Sequence, residues 1–543
     1  MGMVAPQQRI ASAFVVIFGQ HGRVTQYAEE RGVCRQWIYR EADWVQKRLA
    51  DQEEIRRLRQ QIRELTEQNV TCEQRLAKSV VIDEEKQAEL ASVCQAIGVS
   101  LTACWLLLDV LIPGQQLSVP TLGRRTQASG KRAGELLAVL DEQTRPLARE
   151  LVADEIYVKQ PVLMTVEPES LCWLGGKCTD TVNAETWSAE LGHFANAEQV
   201  TRDGGAALAA GIALVNQQRQ ASQQSALGDQ GDQFHALRLA RGAGLHWAKL
   251  RATWALAKAE KAQQQLDKRR RQGLPSKAEG CRAGVAWKKA TQAMDRWSEL
   301  EGTWKKTKEA LLLFTPEGEL NTRQRAEAAL AETLPQLPTE GFDSAKRALQ
   351  KPEMLYYLDR VQDQLKALPF PEEVIKAAVQ QEGLRRRPEL LCGETPQAAA
   401  RRGVLLMCAV ILSKSGKVGQ EAVGAVREIF RRAYRASSLV ECINSVLRMQ
   451  QAQHRKMSQG LLDLKRLYWN CHTFRTGRRR GTTPYQRLGV PWPKGMSWWE
   501  VLKLTPEQLR EQLSTAKMGD YLADSEGCQA KMVPITPRKA LLR

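Results

Sequence analysis

The sequence predicts a multidomain α plus α/β protein: helical units at the N-terminus, then a mixed-sheet core interrupted by an all-α insertion. Three observations predict it. A chain of 543 residues exceeds what one hydrophobic core organises. Residues 149–237 alternate short apolar, β-branched runs with helical stretches, whereas residues 241–395 are rich in Lys, Arg, Glu, Gln and Ala and carry almost no strand signal. With 43% hydrophobic and 26% charged residues, the composition is that of folded globular domains.

The charge narrows the partner. Lys and Arg total 79 against 61 acidic residues, a net of +18, which favours a polyanion bound through phosphate neutralisation and counterion release. Double-stranded DNA is the first candidate. A membrane is the weaker one: the cations are spread along the chain, and the longest apolar stretches, 103–113 and 404–412, fall short of the ~20 residues that a spanning helix needs. With no signal-peptide pattern at the start, a cytoplasmic location is expected. The 12 cysteines are scattered without a Cys-x-x-Cys pair, so reduced thiols are expected, and Cys471-His472 lacks the second pair that a zinc site requires.

Within residues 1–50, VTQYAEERGVCRQWIYREADW (24–44) reads as a helix-turn-helix unit. Ala28 is small where helices cross, Gly32 permits the turn, and Val33 and Ile38 form the buried side of the second helix. Arg35, Gln36, Tyr39 and Arg40 would then face a major groove; an ordinary helical hairpin has the same pattern. Residues 51–80 form a coiled-coil-like helix. Ile55, Leu58, Ile62, Leu65, Asn69, Cys72 and Leu76 alternate at three and four spacing, and an a-position Asn69 suits a two-stranded register, so a homo-oligomer, at least a dimer on DNA, is expected. Packing of this helix against its own domain is the alternative. Residues 81–145 predict further helical pairs broken at Gly98-Val99-Ser100, Pro113-Gly114 and Gln127-Ala128-Ser129. Arg124, Arg125, Lys131 and Arg132 there suit phosphate contacts, or a solvated basic face.

Residues 146–240 predict the first half of the core. Three strands bounded by Pro161, Pro168 and Gly175-Gly176 are followed by a helix from Ala184, a strand ending at Asp203, a helix from Ala206, and a strand over 232–237. That order is the order of the RNase H-like fold. In the insertion, 241–395, the seven-residue steps Trp247 to Trp254 and Trp297 to Trp304 keep each pair on one helix face, which predicts core packing. Residues 396–490 return to the core, and 491–543 form a C-terminal tail.

Phosphoryl transfer on DNA uses two divalent cations about 4 Å apart, held by carboxylates. Asp154 in the first strand, Asp203 at the end of the fourth and Glu441 on a late helix can supply them, because the first and fourth strands of such a sheet are neighbours. Singly, each has a plain structural use: a strand-end pair with Glu155, a turn before Gly204-Gly205, a helix-surface glutamate. Glu155 and Asp232 are the substitutes if the set is shifted. His235 could position DNA or water, or be a satisfied core histidine. Asn444, Ser445 and Arg448 share the Glu441 helix face and could grip DNA phosphates, and Arg475, Arg478, Arg479, Arg480 and Arg487 add a basic loop that suits DNA beside the metal site, or a solvated charge run.

The stretches VADEIYVKQPVLMTVEPES, VTRDGGAALAAG, DQFHALR, SSLVECINSVLR and YWNCHTFRTGRRRGTTPYQRLG resemble those of DDE transposases of the retroviral-integrase superfamily, from Asp154 to about Gly489. The long interval before Glu441 is similar to that of hAT-type elements, which carry a helical domain there. The resemblance implies that Asp154 bridges two Mg²⁺ ions, replaceable by Mn²⁺, while Asp203 and Glu441 hold one each. It implies cleavage at transposon ends and strand transfer into target DNA. A transposase-derived DNA-binding regulator without activity, or an RNase H-like nuclease, shares these features.

Overall fold

The structure, a computed structural model, describes residues 5–48, 52–78, 82–112, 117–240, 244–452, 456–493 and 495–526. The expected break at Pro113-Gly114 and the end of the tail lie outside them. The chain divides into two compact units, 1–86 and 87–543. Among the described residues no helix is long and apolar enough to cross a membrane.

The first unit holds helices Pro6–Phe18, Arg23–Glu30, Arg35–Arg48 and Gln52–Lys78. Gly32, at φ 65°, turns the second helix into the third, a conformation that a side chain would strain. Ala28 and Ile38 are buried as the sequence predicts, and Ala13, Ala42 and Val45 close a small core. Such a core gains from a polar clamp. Buried Glu41 accepts hydrogen bonds from the Ser12 hydroxyl (2.5 Å), the Arg31 guanidinium (2.5 Å) and the Trp37 indole (2.9 Å), tying the first helix to the third and to the end of the second. Burial works against the Glu41 charge, and these bonds outweigh it, holding its carboxyl below the usual range. On Gln52–Lys78, Leu58, Ile62 and Leu65 are exposed; the seam's ends, Ile55 and Leu76, lie outside the residues whose side chains are described.

The second unit is mostly helical around one mixed sheet of β1 (Glu150–Tyr157), β2 (Pro161–Glu167), β3 (Cys172–Cys178), β4 (Gln199–Arg202) and β5 (Gly228–Gly231), in the order β3-β2-β1-β4-β5. β1, β2 and β3 pair antiparallel; β4 and β5 join parallel to β1. Alternation divides β1 between two cores. Leu151 and Ala153 pack with helices Val119–Thr144, Ala184–Leu191 and Ala206–Ala221, whereas Val152 and Ile156 pack with Val440, Ile443 and Leu447 of helix Ser438–Ala452.

Three local expectations need correction. Residues 232–237 are not a strand: β5 is the polar run Gly228–Gly231, and helix Gln233–Ala240 follows, capped by Asp232, whose carboxylate accepts the His235 N–H at 3.0 Å. Strand propensity misleads here because β5 is selected by close packing. A Cβ at Gly228 would meet the Tyr356 ring at 2.3 Å. There is likewise no break at Gln127-Ala128-Ser129, since Val119–Thr144 is one helix. Its small residues serve a helix crossing: a Cβ at Gly130 would lie 2.6 Å from the Gly460 carbonyl oxygen, and Ser129 bonds Ser92. β3 also continues through Gly175-Gly176, where Gly176 lies under the Trp173 indole.

A separate helical core runs from Ala236 to Phe430 and includes Trp304. Buried Arg360 joins it to the sheet, donating to Glu150 (2.8 Å), Gln199 (3.1 Å) and Glu198 (2.9 Å). Trp247 and Trp254 are not core residues: they are 50% and 58% exposed. The two-helix hairpin His246–Arg271 and Lys277–Ala310 is thin enough to bury one stripe. That stripe is Ala252, Ala259, Leu266, Ala283 and Ala290, also at seven-residue spacing. A shared face does not make it the buried one.

Candidate active site

The parallel register pairs Ala153 with Arg202, so Asp154 and Asp203 are the next residues of two neighbouring strands, roughly 5 Å apart along the ladder. β1 continues past this point while β4 stops, because Asp203 turns the chain: its Oδ1 accepts the Gly205 N–H at 2.9 Å. Asp154 lies on the Val152–Ile156 face, beneath helix Ser438–Ala452. Its Oδ2 accepts the Asn444 amide N–H at 2.8 Å, and its Oδ1 accepts the Glu155 backbone N–H at 2.8 Å. Asn444 shares a face with buried Val440, Ile443 and Leu447, which seat the helix on the sheet, and Glu441 stands one turn before it. Asp232 holds the start of that helix through a short bond from the Ser437 hydroxyl.

Like charges meet here. Burial, reinforced by the negative charges of Asp203 and Glu441, pushes the Asp154 carboxyl up to about 7 despite its two hydrogen bonds. Glu155 points to the other sheet face, where the Trp187 indole donates to it at 3.3 Å; burial first, then Asp203, raises its carboxyl. Asp232 is committed to its cap and to Ser437. Glu155 does not share the Asp154 face; Asp232 follows β5 in register with Asp203 but is taken up by these two bonds. Glu441 is half-exposed and ion-paired with Arg448. Among the described residues, no three His, Cys, Asp or Glu side chains lie together at metal-holding distance; Asp154 is engaged by Asn444 and Glu441 by Arg448.

The residues expected on DNA divide into free and occupied. Arg35, Gln36, Tyr39 and Arg40 are exposed together at the start of their helix, Arg35 touching the Thr25 hydroxyl at 3.3 Å. Arg124, Lys131, Arg132 and Arg480 are exposed; Arg124 also meets Thr121 and Arg132 the Lys503 carbonyl, both at 3.2 Å. Arg125 is half-buried against Gln87 (3.2 Å). Arg479 is not a free phosphate ligand, since it donates to the Pro168 and Glu169 carbonyls at 3.0 and 2.9 Å, and Arg478 stands 4.0 Å from the Glu169 carboxylate. Asn444, 2% exposed, cannot reach DNA. His235 is exposed on the first turn of a helix, not within an apolar strand.

The stretch after Glu441 does structural work that its motif did not announce. Asn470 pairs with both backbone groups of Trp173, accepting the N–H at 2.8 Å and donating to the carbonyl at 2.9 Å, and so completes the β3 edge. Thr483 and Gln486 form a capping box, and Gly489 closes that short helix at φ 96°. No family model, curated protein or solved structure matches the chain.

Proposed function

We propose that the chain is a DNA transposase that binds transposon ends and uses Asp154, Asp203 and Glu441 for metal-dependent cleavage and strand transfer. The observation that carries this reading is the half-buried Asp154 carboxyl, set among like charges on β1 where the adjacent parallel strand β4 ends. Its side-chain partner is a neutral amide, which leaves the charge uncompensated. The β3-β2-β1-β4-β5 order, antiparallel on one side of β1 and parallel on the other, supports an RNase H-like sheet, and the helical core before Glu441 supports the interrupted form.

The donor set fits a hard divalent cation. It is all oxygen, its carboxylates repel one another, and the buried Asn444 Oδ1 has no hydrogen-bond partner among the described residues. Bound there, Mg²⁺ or Mn²⁺ supplies charge neutralisation at the scissile phosphate and an activated hydroxyl. The protein's share is to hold Asp154 and Asp203 on two interior strands of the sheet, to keep Glu441 one turn from Asn444, and to retain the Asp154 proton near neutral pH until charge compensation releases it. Arg448, freed from Glu441, is placed to meet a phosphate. Arg35, Gln36, Tyr39 and Arg40 would read the ends, and the Leu58–Ile62–Leu65 stripe with Asn69 suits a second copy of the chain.

The test incubates the protein and Mg²⁺ with duplexes carrying the sequences that flank its gene. Cleavage followed by joining of a 3′ hydroxyl to a second duplex is expected. Cleavage without joining leaves a nuclease. Binding without cleavage leaves a regulator, a reading favoured by the Glu441–Arg448 pair.

A further inference from the structure

Helices His246–Arg271 and Lys277–Ala310 form an antiparallel arm held by an alanine seam, and the longer of them spans roughly 50 Å at 1.5 Å per residue. Together they carry sixteen Lys and Arg against seven Asp and Glu, an excess equal to half of the chain's +18. Five of the sixteen cations line one groove. A groove of about 1100 Å³ is lined by Arg251, Lys258, Lys261, Arg282 and Lys289 around the exposed Trp254, with no acid in its walls.

Three exposed lysines elsewhere are neutralised on their own helices: Lys366 by Asp363 (3.8 Å), Lys376 by Glu372 (2.7 Å) and Lys417 by Glu421 (3.6 Å). In the groove only Arg251 has an acidic partner, Glu340 at 3.3 Å. Among the described residues Lys258, Lys261, Arg282 and Lys289 have none. Four uncompensated cations on a rigid two-helix scaffold raise the local potential and keep it there unless a polyanion takes up the charge.

We propose that this groove is a second DNA-binding surface, which grips the duplex backbone independently of sequence. The occupant follows from the chemistry of the walls. Cations recur seven residues apart on both helices, from Arg251 to Lys258 and from Arg282 to Lys289, about 10 Å of rise each, which suits a regularly charged rod. A duplex carries one charge per ~1.7 Å of axis, so the arm meets several phosphates at once. The lining has no Asn, Gln, Ser, Thr, Asp or Glu, so apart from its two arginines it offers little to read base edges, and sequence selection is left to other parts of the chain. The inference does not require the three acids to be catalytic.

The experiment measures binding of the full-length protein, and of a full-length K258A/K261A/R282A variant, to a fluorescent random-sequence 40-bp duplex across 50–200 mM salt. All three residues are exposed, and circular dichroism checks that the variant is folded. The slope of log K against log salt should shrink by roughly 2 to 3, at about 0.9 for each phosphate that is no longer neutralised. A K366A/K376A/K417A variant removes the same charge from paired positions and should leave the slope nearly unchanged. An unchanged slope in the first variant, or an equal loss in the second, overturns the proposal. So does a variant that keeps DNA binding and loses only binding to poly-glutamate, which would make the groove a site for acidic protein.

Discussion

The sheet region and the helical arm use positive charge in opposite ways. Around the sheet, arginines are buried and spent on the protein itself. Arg466 donates to the Trp173 carbonyl at 2.8 Å, to the Leu174 carbonyl and to Asp141; Arg202 pairs with Asp229 (2.7 Å) and Glu353 (3.2 Å); Arg219 donates to the Ala197 and Phe194 carbonyls, both at 2.8 Å. In the arm's groove the cations sit over an alanine seam with no acid in the walls. Among the acids the contrast is at Asp154, which has no ion pair among the described residues although Asp203 and the Arg448-paired Glu441 act on it. A net charge of +18 therefore overstates the surface available to DNA near the sheet and understates how sharply it is focused on the arm.

The contrast should be largest at Arg466. If the sheet arginines are structural, Arg466→Met should lower stability by about 2–4 kcal/mol, because it leaves the buried Asp141 with Arg145 alone (3.0 Å) and removes the side-chain donor to the Leu174 carbonyl, while the Trp173 carbonyl keeps Asn470. Urea unfolding followed by tryptophan fluorescence reads this, and a loss under about 1 kcal/mol would mean that the buried pair is dispensable.

Asp154→Asn should do the reverse. The folded pKa of about 7 lies above the unfolded value near 3.9, so the wild-type carboxyl costs stability progressively as pH rises from 4 to 7, and fully above it. The variant should melt on the order of 2 °C higher than wild type at pH 8, with no gain at pH 4. Millimolar Mg²⁺ should narrow the pH 8 gap by stabilising only the wild type. A variant equally destabilised at both pH values would make Asp154 an ordinary structural acid.

The smallest effect belongs to the arm. K258A/K261A/R282A should change stability by less than about 0.5 kcal/mol, since exposed cations without partners contribute little to folding. A larger loss would place them in the fold and not on a ligand.

Period and punctuation made much of this legible. The helix-glycine-helix unit around Gly32, strands β1, β2 and β4, and the helices on either side of β4 follow from alternation, capping residues and small residues at crossings. Where sequence reading failed, long-range packing decided. Gly228–Gly231 is a strand because aromatic and thioether side chains press on its glycines, and Gly130 belongs to a continuous helix because another backbone crosses it. Trp247 and Trp254 kept their heptad spacing while the alanines took the interior. At the candidate site, Asp154, Asp203 and Glu441 could be named from the chain, but the Asn444–Asp154 bond, which spans 290 positions, could not. Asn470 and Arg479 drew notice as part of a motif; their work is to finish an edge strand and to hold a turn.

The central claim is that Asp154, Asp203 and Glu441 act as one metal-holding set. Its most direct test is Mg²⁺-dependent cleavage of flank-bearing duplex by Asp154→Asn, Asp203→Asn and Glu441→Gln, each measured beside its affinity for the same DNA. Each substitution should reduce cleavage by at least about 10³-fold, a loss of roughly 4 kcal/mol of transition-state stabilisation, while affinity changes less than about threefold. Cleavage that survives in any one of the three variants would contradict the set.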